Sequence, residues 1–177
     1  MIRSFLAAAI LFAAAPAHAE VVSRSADSFT LMFAVGAEID PADIPGALQA
    51  LPEWWESSHT YSGDSKNLSL DLTPGGCWCE RLPDNPAFDH GRTVSVSADR
   101  IVFDAPFGPL RGKAAKAELS VTWPAANRGW RPTWTFVVEG PGLGAMADSV
   151  DRVMATGFQR WMHYLEYGEA PPTGPTS

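Results

Sequence analysis

The sequence has 177 residues and a formal net charge of −7, from 20 acidic and 13 basic side chains. This length predicts a single domain. An acidic chain with only three lysines is a poor candidate for binding nucleic acid or an anionic lipid surface. Seven tryptophans supply more rigid apolar area than a small core requires, so they indicate either a tryptophan-rich core or an aromatic-lined cavity.

The first nineteen residues have the pattern of a secretory signal peptide. A short start that contains Arg3 precedes an apolar run over 5–15, and Ala17-His18-Ala19 fits a cleavage site. The apolar run is shorter than the roughly 20 residues that span a bilayer. We therefore expect cleavage after Ala19, no integral membrane segment afterwards, and a periplasmic or secreted location.

The next segment alternates between apolar and polar residues and predicts a first strand over 20–37. Phe29, Leu31 and Phe33 share one face of it. Asp40 and Pro41 then predict a short helix, with Asp40 as its cap and Pro41 at its first position. Pro52 is predicted to end that helix, and a further turn over 53–56 contains Trp54 and Trp55.

From residue 68 onward a period of two returns and predicts six more strands, separated by tight turns about ten residues apart. This spacing is typical of an antiparallel meander. The strands are marked by Leu68/Leu70/Leu72, Cys77–Arg81, Val94/Val96, Ile101/Phe103, Leu119/Val121/Trp123 and Trp134/Phe136/Val138.

The last regular stretch, 144–167, predicts a long amphipathic helix, and Gly168 is a suitable left-handed stop after it. Gly157 is expected to leave room beside the ring of Trp161. Apolar residues recur along it at steps of three and four, at Met146, Val150, Val153, Met154, Gly157, Phe158, Trp161, Met162 and Leu165.

Together these elements predict an α+β fold in which a curved antiparallel sheet wraps around the C-terminal helix. The helical insert after the first strand would close one end, leaving a cavity between sheet and helix. The expected domain covers residues 20–169, and residues 170–177 are expected to be a disordered tail.

Several motifs in this order resemble the SRPBCC superfamily, the helix-grip fold of START domains. They are Trp54-Trp55, the segments 59–62 and 68–72, Gly75-Gly76-Cys77-Trp78-Cys79-Glu80, and Phe107-Gly108-Pro109-Leu110. The sequence is most similar to an exported branch that resembles activators of heat-shock-protein-90 ATPase. This resemblance implies a helix-grip scaffold, which hosts lipid carriers, cyclases and co-chaperones, and it implies no common catalytic signature.

Three histidines follow the predicted signal peptide. His59 lies where a cavity mouth is expected, so it could act as a general base or hydrogen-bond a ligand; the alternative is a loop histidine that binds its own backbone. His90 is predicted to be a solvated turn residue, and His163 is predicted to be exposed on the polar face of the helix.

Glu80 is predicted to share a strand face with Trp78, where a carboxyl beside an indole could have a raised pKa and act as an acid. The favoured alternative is a cross-strand pair with an arginine on the solvent face, such as Arg81, Arg92 or Arg111.

Cys77 and Cys79 are two residues apart on a strand, with Cα atoms expected roughly 6.6 Å apart. This spacing favours small buried residues with free or weakly bridged thiols, with a strained disulfide as the alternative. Metal ligation with a histidine lacks the spacing of zinc sites.

The leading hypothesis is an exported module that encloses a small apolar or amphipathic molecule, with no cofactor, no metal and no nucleic-acid partner. An enzyme of cyclase or hydrolase type using His59 and Glu80 is the first alternative, and a protein-interaction domain is the second. The segment 142–147 imitates a dinucleotide fingerprint but lacks the following parallel strand. The candidate ligand-binding residues are Trp54, Trp55, His59, Tyr61, Trp78, Glu80 and Trp161.

Overall fold

A computed structural model describes residues 20–171. The predicted signal peptide and residues 172–177 of the predicted tail lie outside the described residues. The strands are β1 Glu20–Arg24, β2 Ser28–Ala34, β3 Leu68–Leu70, β4 Cys77–Leu82, β5 Asn85–Val96, β6 Arg100–Asp104, β7 Lys116–Thr122 and β8 Thr133–Glu139. The α-helices are α1 Asp43–Gln49, α2 Leu51–Trp54 and α3 Ala147–Tyr167.

The eight strands form one antiparallel sheet in the order β1-β2-β8-β7-β6-β5-β4-β3. Strands β3 to β8 are neighbours in chain order, which confirms the predicted meander. The curved sheet and the long helix α3 confirm the predicted α+β helix-grip fold. Strand β2 pairs with β8 near one edge of the sheet, whereas β3 is at the opposite edge. The connection between β2 and β3, which contains the helical insert, therefore crosses from one side of the sheet to the other.

The core lies between the inner face of the sheet and α3. Residues two apart on β2, β6, β7 and β8 are fully buried, as the alternating pattern predicts. They meet the apolar face of α3. The largest buried side chains include Phe29, Leu31, Ile101, Phe103, Trp134, Phe136, Phe158 and Trp161.

The predicted first strand is two strands, so the sheet has eight strands rather than seven. The polar residues between β1 and β2 form a tight turn in which the Ser25 N–H donates to the Ser28 carbonyl at 2.8 Å, and the two hydroxyl groups also bond each other. Serine and aspartate favour such turns because their side chains bond the nearby backbone. The turn allows β1 to fold back onto β2.

The predicted start and end of the first helix are both wrong. Helix α1 begins at Asp43, and the Asp40 carboxylate accepts the backbone N–H of Ala42 in the preceding turn rather than capping the helix. Pro52 lies in the first turn of α2 and does not end α1. Proline is tolerated there because a first-turn residue needs no hydrogen-bonded N–H.

Helix α3 ends as predicted. Gly168 is in the left-handed region at φ +71°, and its N–H donates to the Tyr164 carbonyl at 2.8 Å. A short 3₁₀ turn, Leu143–Met146, precedes α3, so the α-helix starts three residues later than predicted.

Cys77 and Cys79 form a disulfide, so the favoured prediction of free thiols is wrong. Their Cα atoms are 5.3 Å apart, closer than expected for a flat strand. The irregular pairing of β4 with β5 falls between them, at Trp78/Cys79, and such irregularities increase local twist. The bridge lies on the outer face of β4, opposite to Trp78 and Glu80.

We expect the purified protein to show no free thiol when it is denatured without a reductant. Labelling with a thiol reagent should add no mass before reduction and two labels after it, because residues 20–171 contain no unbridged cysteine. Labelling of a substantial fraction before reduction would show that the bridge does not form.

Candidate functional site

A cavity of about 200 Å³ lies between α3 and the β3–β5 end of the sheet. The start of α3 forms one side, and the Trp55–His59 segment and the 107–110 loop form others. The lining residues are Trp55, His59, Leu68, Trp78, His90, Phe107, Gly108, Pro109, Leu110, Ser149, Val150, Val153 and Met154. Most of these side chains are apolar, so the cavity suits an apolar group.

Aromatic rings fix the shape of the cavity wall. The ring of Trp55 makes edge contacts with those of Trp54 and Trp78 at centroid distances of 5.7 and 5.6 Å. The ring of Phe107 meets that of Trp78 at 4.8 Å. Because each ring is held by its neighbours, we expect the wall to be largely preformed.

Gly157 of α3 lies against this wall, beside the ring of Trp55. A Cβ atom at residue 157 would lie 2.7 Å from the Trp55 ring. The absence of a side chain at Gly157 therefore allows the Trp55 ring to pack directly on the helix.

A bulge in β5 brings His90 to the cavity. Residues 78 and 79 of β4 pair with 91 and 89 of β5, so His90 has no partner in the ladder. The consecutive residues His90 and Gly91 are both buried, which a regular strand with alternating faces does not allow. The prediction of a solvated turn at His90 is therefore wrong.

Gly91 is required at this bulge because the backbone of β6 lies close to it. A Cβ atom at residue 91 would be 2.5 Å from the Asp104 carbonyl oxygen. The His90-Gly91 pair is the signal in the sequence that could have revealed the bulge, since an isolated glycine in a strand pattern often marks one.

Glu80 is fully buried behind His90, on the inner side of β4. Its carboxylate accepts the backbone N–H groups of Tyr61 and Ser62 and contacts His90 Nε2 at 2.8 Å. Burial by itself would raise the pKa of Glu80, but the hydrogen bonds from Ser62, Tyr61 and His90 outweigh burial and lower the pKa. The hypothesis of a raised pKa is therefore wrong.

The favoured arginine partner for Glu80 is also wrong. Arg81 donates to the Asn67 side-chain oxygen at 2.7 Å, while Arg92 and Arg111 both lie near the Asp89 carboxylate. None of these three arginines contacts the Glu80 carboxylate. The loop over 60–62 supplies the donors that an arginine would otherwise provide to Glu80.

His90 is neutral at pH 7, with its proton on Nε2. Burial lowers the pKa of His90, and Arg111 adds to this effect; Glu80 and Asp89 act in the opposite direction without reversing it. An ionised carboxylate only accepts hydrogen bonds, so Nε2 must be the donor to Glu80. Nδ1 then carries a lone pair.

The ring of His90 is held between two aromatic side chains. It stacks on Tyr61 at a centroid distance of 5.6 Å and meets the edge of Phe88 at 5.1 Å. Tyr61 itself is 57% exposed and covers His90 from the outer side. These contacts and the bond to Glu80 fix the orientation of the imidazole.

His59 ends a 3₁₀ turn, Ser57–His59, and lines the cavity as predicted for a residue at its mouth. Its backbone N–H donates to the Glu56 carbonyl, and its own carbonyl accepts the indole N–H of Trp55 at 3.3 Å. The Nδ1 atom is buried and has no hydrogen-bond partner within residues 20–171. The cavity therefore has two imidazole groups in an otherwise apolar wall.

The structure brings together three of the seven candidate ligand-binding residues, Trp55, His59 and Trp78, on the cavity wall. Glu80 and Tyr61 lie behind and beside His90 and do not line this cavity. Trp54 and Trp161 are fully buried in the core; the indole N–H of Trp54 donates to the Ala47 carbonyl at 2.7 Å. The binding role of the three wall residues stays a prediction.

We expect the fold to lose stability as the pH falls through about 6.5, partly through His90. Because the folded pKa of His90 lies below the roughly 6.5 of an exposed histidine, the unfolded chain binds more protons in this range. The free energy of unfolding should therefore decrease as pH falls from about 6.5 toward the folded pKa, by at most about 1.4 kcal/mol per pH unit.

Urea unfolding of the parent and His90→Gln at several pH values measures this slope. Glutamine can still donate to Glu80 but does not titrate, so the variant should be less pH-dependent in that range. Identical slopes for the two proteins would contradict the lowered pKa.

No protein-family model matches the sequence, and no curated protein matches it. Solved structures do match. An uncharacterised protein from Rhizobium leguminosarum superposes with a TM-score of 0.57 and 20% identity, over 82% of this chain and 99% of that one. The di-domain ARO/CYC protein StfQ from the steffimycin biosynthetic pathway gives a TM-score of 0.53 and 12% identity, over 81% of this chain and 51% of that one.

A third neighbour, a protein in the dynemicin biosynthetic locus, gives a TM-score of 0.54 and 20% identity, over 81% of this chain and 49% of that one. The chain thus spans about half the length of these two biosynthetic proteins. Identities of 20% or less show the fold alone. The chain is a helix-grip domain with a cavity between its sheet and α3.

Within residues 20–171 no helix is long and apolar enough to cross a membrane. The same residues contain no group of three or more histidine, cysteine, aspartate or glutamate side chains that could hold a metal ion.

Proposed function

We propose that this domain binds a small apolar or amphipathic molecule in the cavity between α3 and the sheet. The observation that supports this function is the largely apolar, aromatic-walled cavity of about 200 Å³. Filling such a cavity with an apolar group removes both ligand and wall surface from water. The di-domain ARO/CYC protein StfQ shares the fold, and no activity is extended from it.

The volume limits the size of the ligand. An engineered apolar cavity of about 150 Å³ binds benzene, whereas sites for drug-sized molecules usually have about 300–1,000 Å³. A cavity of about 200 Å³ therefore fits one ring with a short substituent, or an acyl chain of a few carbons. Binding of a large polycyclic molecule would require the wall to open.

Binding is better supported than catalysis by His59 and Glu80. That enzyme alternative requires both side chains in one cavity, and Glu80 is instead occupied by three hydrogen bonds behind the wall. A buried carboxylate that accepts three donors is a structural anchor for His90 and the 60–62 loop.

The test is a titration with benzene derivatives of increasing size, followed by tryptophan emission, since Trp55 and Trp78 form the wall. We expect saturable changes with one-ring compounds and none with three-ring compounds. Val153→Trp should abolish the response by filling the cavity, while Gln159→Trp on the exposed side of α3 should retain it. No saturable response to any compound, or an equal response in Val153→Trp, would refute the proposal.

We also propose that the protein works outside the cytoplasm, as the exported branch in the sequence resemblance does. The disulfide between Cys77 and Cys79 supports this location, because such bonds persist mainly in oxidising compartments. Intact mass of the protein from the extracytoplasmic fraction should give a chain that begins at Glu20. A full-length chain confined to the cytoplasm would contradict this location.

A further inference from the structure

We propose that His90, held by Glu80, is the hydrogen-bond acceptor that selects a ligand with a neutral hydroxyl group, such as a substituted phenol. This inference rests on the proposed function and specifies the chemical class of the ligand. It assigns to His90 a role in recognition at a position that the sequence pattern places in a solvated turn.

The hydrogen bond between His90 and Glu80 has only one possible direction. The Glu80 carboxylate already accepts two backbone N–H groups, at Tyr61 and Ser62, and it contacts His90 Nε2 at 2.8 Å. An ionised carboxylate has no proton to donate, so Nε2 carries the proton. The remaining ring nitrogen, Nδ1, is therefore an acceptor.

The contacts of the His90 ring limit where the acceptor Nδ1 can lie. His90 lines the cavity, and Nδ1 makes no hydrogen bond to any of the described residues. Tyr61 and Phe88 pack against the ring and hold its plane, and a 180° flip of the ring within that plane would break the bond from Nε2 to Glu80. An acceptor fixed in an apolar wall remains unpaired when a hydrocarbon fills the cavity, and this costs binding energy.

The negative charge of Glu80 and the apolar wall limit which ligand groups can bind beside His90. A ligand carboxylate beside His90 would approach the buried negative charge of Glu80, one imidazole away, and would give Nδ1 no proton to accept. An ammonium group would lose its hydration in an apolar cavity. A neutral O–H donor avoids both costs and pairs with Nδ1.

The shape of the cavity wall also limits the ligand. The rings of Trp55, Trp78 and Phe107 present flat apolar surfaces, which suit an aromatic ring. A phenol with a small substituent has the size that the cavity volume allows. The hydroxyl would meet Nδ1 while the ring meets the indole and phenyl groups.

The test compares p-cresol with p-xylene, which differ only by a hydroxyl in place of a methyl group. Calorimetric titrations of both into the parent protein and into His90→Phe give four dissociation constants. Partitioning out of water cancels in the comparison of the two proteins. We expect the affinity ratio of p-cresol to p-xylene to fall about tenfold in His90→Phe and to be retained in His163→Gln, a histidine outside the cavity.

His90→Phe also removes one donor from Glu80, so it could fail to fold. A second measurement on the parent protein avoids this problem: p-cresol should shift the ¹⁵N resonance of His90 Nδ1 in the direction of protonation, and p-xylene should not. A p-toluate arm should show weaker binding than p-cresol in the parent.

The outcomes separate this inference from the proposed function. If neither p-cresol nor p-xylene binds, the proposed function fails. If both bind but the ratio is equal in parent and His90→Phe, or the Nδ1 resonance does not respond, only the inference is overturned. If the ratio falls in His59→Phe and not in His90→Phe, the acceptor is His59 and the assignment to His90 is wrong.

Discussion

Replacing Glu80 by alanine is expected to lower the free energy of unfolding by about 3–5 kcal/mol, because its fully buried carboxylate accepts three hydrogen bonds. The variant leaves the N–H groups of Tyr61 and Ser62 and the Nε2–H of His90 without the acceptor that Glu80 provides. It also frees the 60–62 loop from β4. Urea unfolding at pH 7 measures the loss.

A matched control is Glu139→Ala at the exposed end of β8, which should change the free energy of unfolding by no more than about 0.5 kcal/mol. If Glu80→Ala costs less than about 1 kcal/mol, the carboxylate does not anchor the loop and His90. In that case the fixed tautomer of His90 would also lose its structural basis.

Trp161→Ala is expected to cost a similar amount, about 3–5 kcal/mol, because Trp161 fills the core rather than bordering the cavity. Its ring is fully buried, stacks on Trp134 at a centroid distance of 5.4 Å and packs against Phe158 at 5.9 Å. Truncation would leave a void the size of an indole. Such a loss is a large part of the roughly 5–15 kcal/mol that stabilises a typical domain.

Two variants make this result specific. Trp161→Phe keeps most of the ring and should cost much less, since the indole N–H of Trp161 bonds to none of the described residues and therefore has no such bond to lose. Tyr167→Ala, on the same helix at a side chain that is 66% exposed, should be nearly neutral. A small cost for Trp161→Ala with weakened p-cresol binding would instead place Trp161 at a ligand site.

The overall fold could be predicted because its core follows simple periods. Residues two apart on β2 and β8 and three or four apart on α3 have the alternation that burial on one face imposes. The predicted ends of the strands and helices were less accurate, because side-chain hydrogen bonds decide where some of these elements begin and end. The turn between β1 and β2 depends on hydroxyl contacts at Ser25 and Ser28, and the pattern of apolar residues does not report these.

The cavity wall was only partly predictable. Trp55, Trp78 and His59 could be named because aromatic residues and a loop histidine often surround ligands. Glu80 was named with the wrong surroundings, since its donors come from a loop eighteen and nineteen residues earlier in the chain. His90 was missed because the predicted strand was marked only by Val94 and Val96, and His90 was assigned to the turn before it. Strand β5 instead begins at Asn85 and has its bulge at His90.

The bulge in β5 also implies that the site is more sensitive to insertion and deletion than to substitution at this hairpin. Deleting Asp89 would let His90 pair opposite Cys79 and remove the bulge between Trp78 and Cys79. Because successive residues point to opposite faces, the imidazole would then leave the cavity for the outer surface. During divergence, the number of residues between Phe88 and Gly91 should therefore be held constant while the turn at 97–99 is free to vary in length.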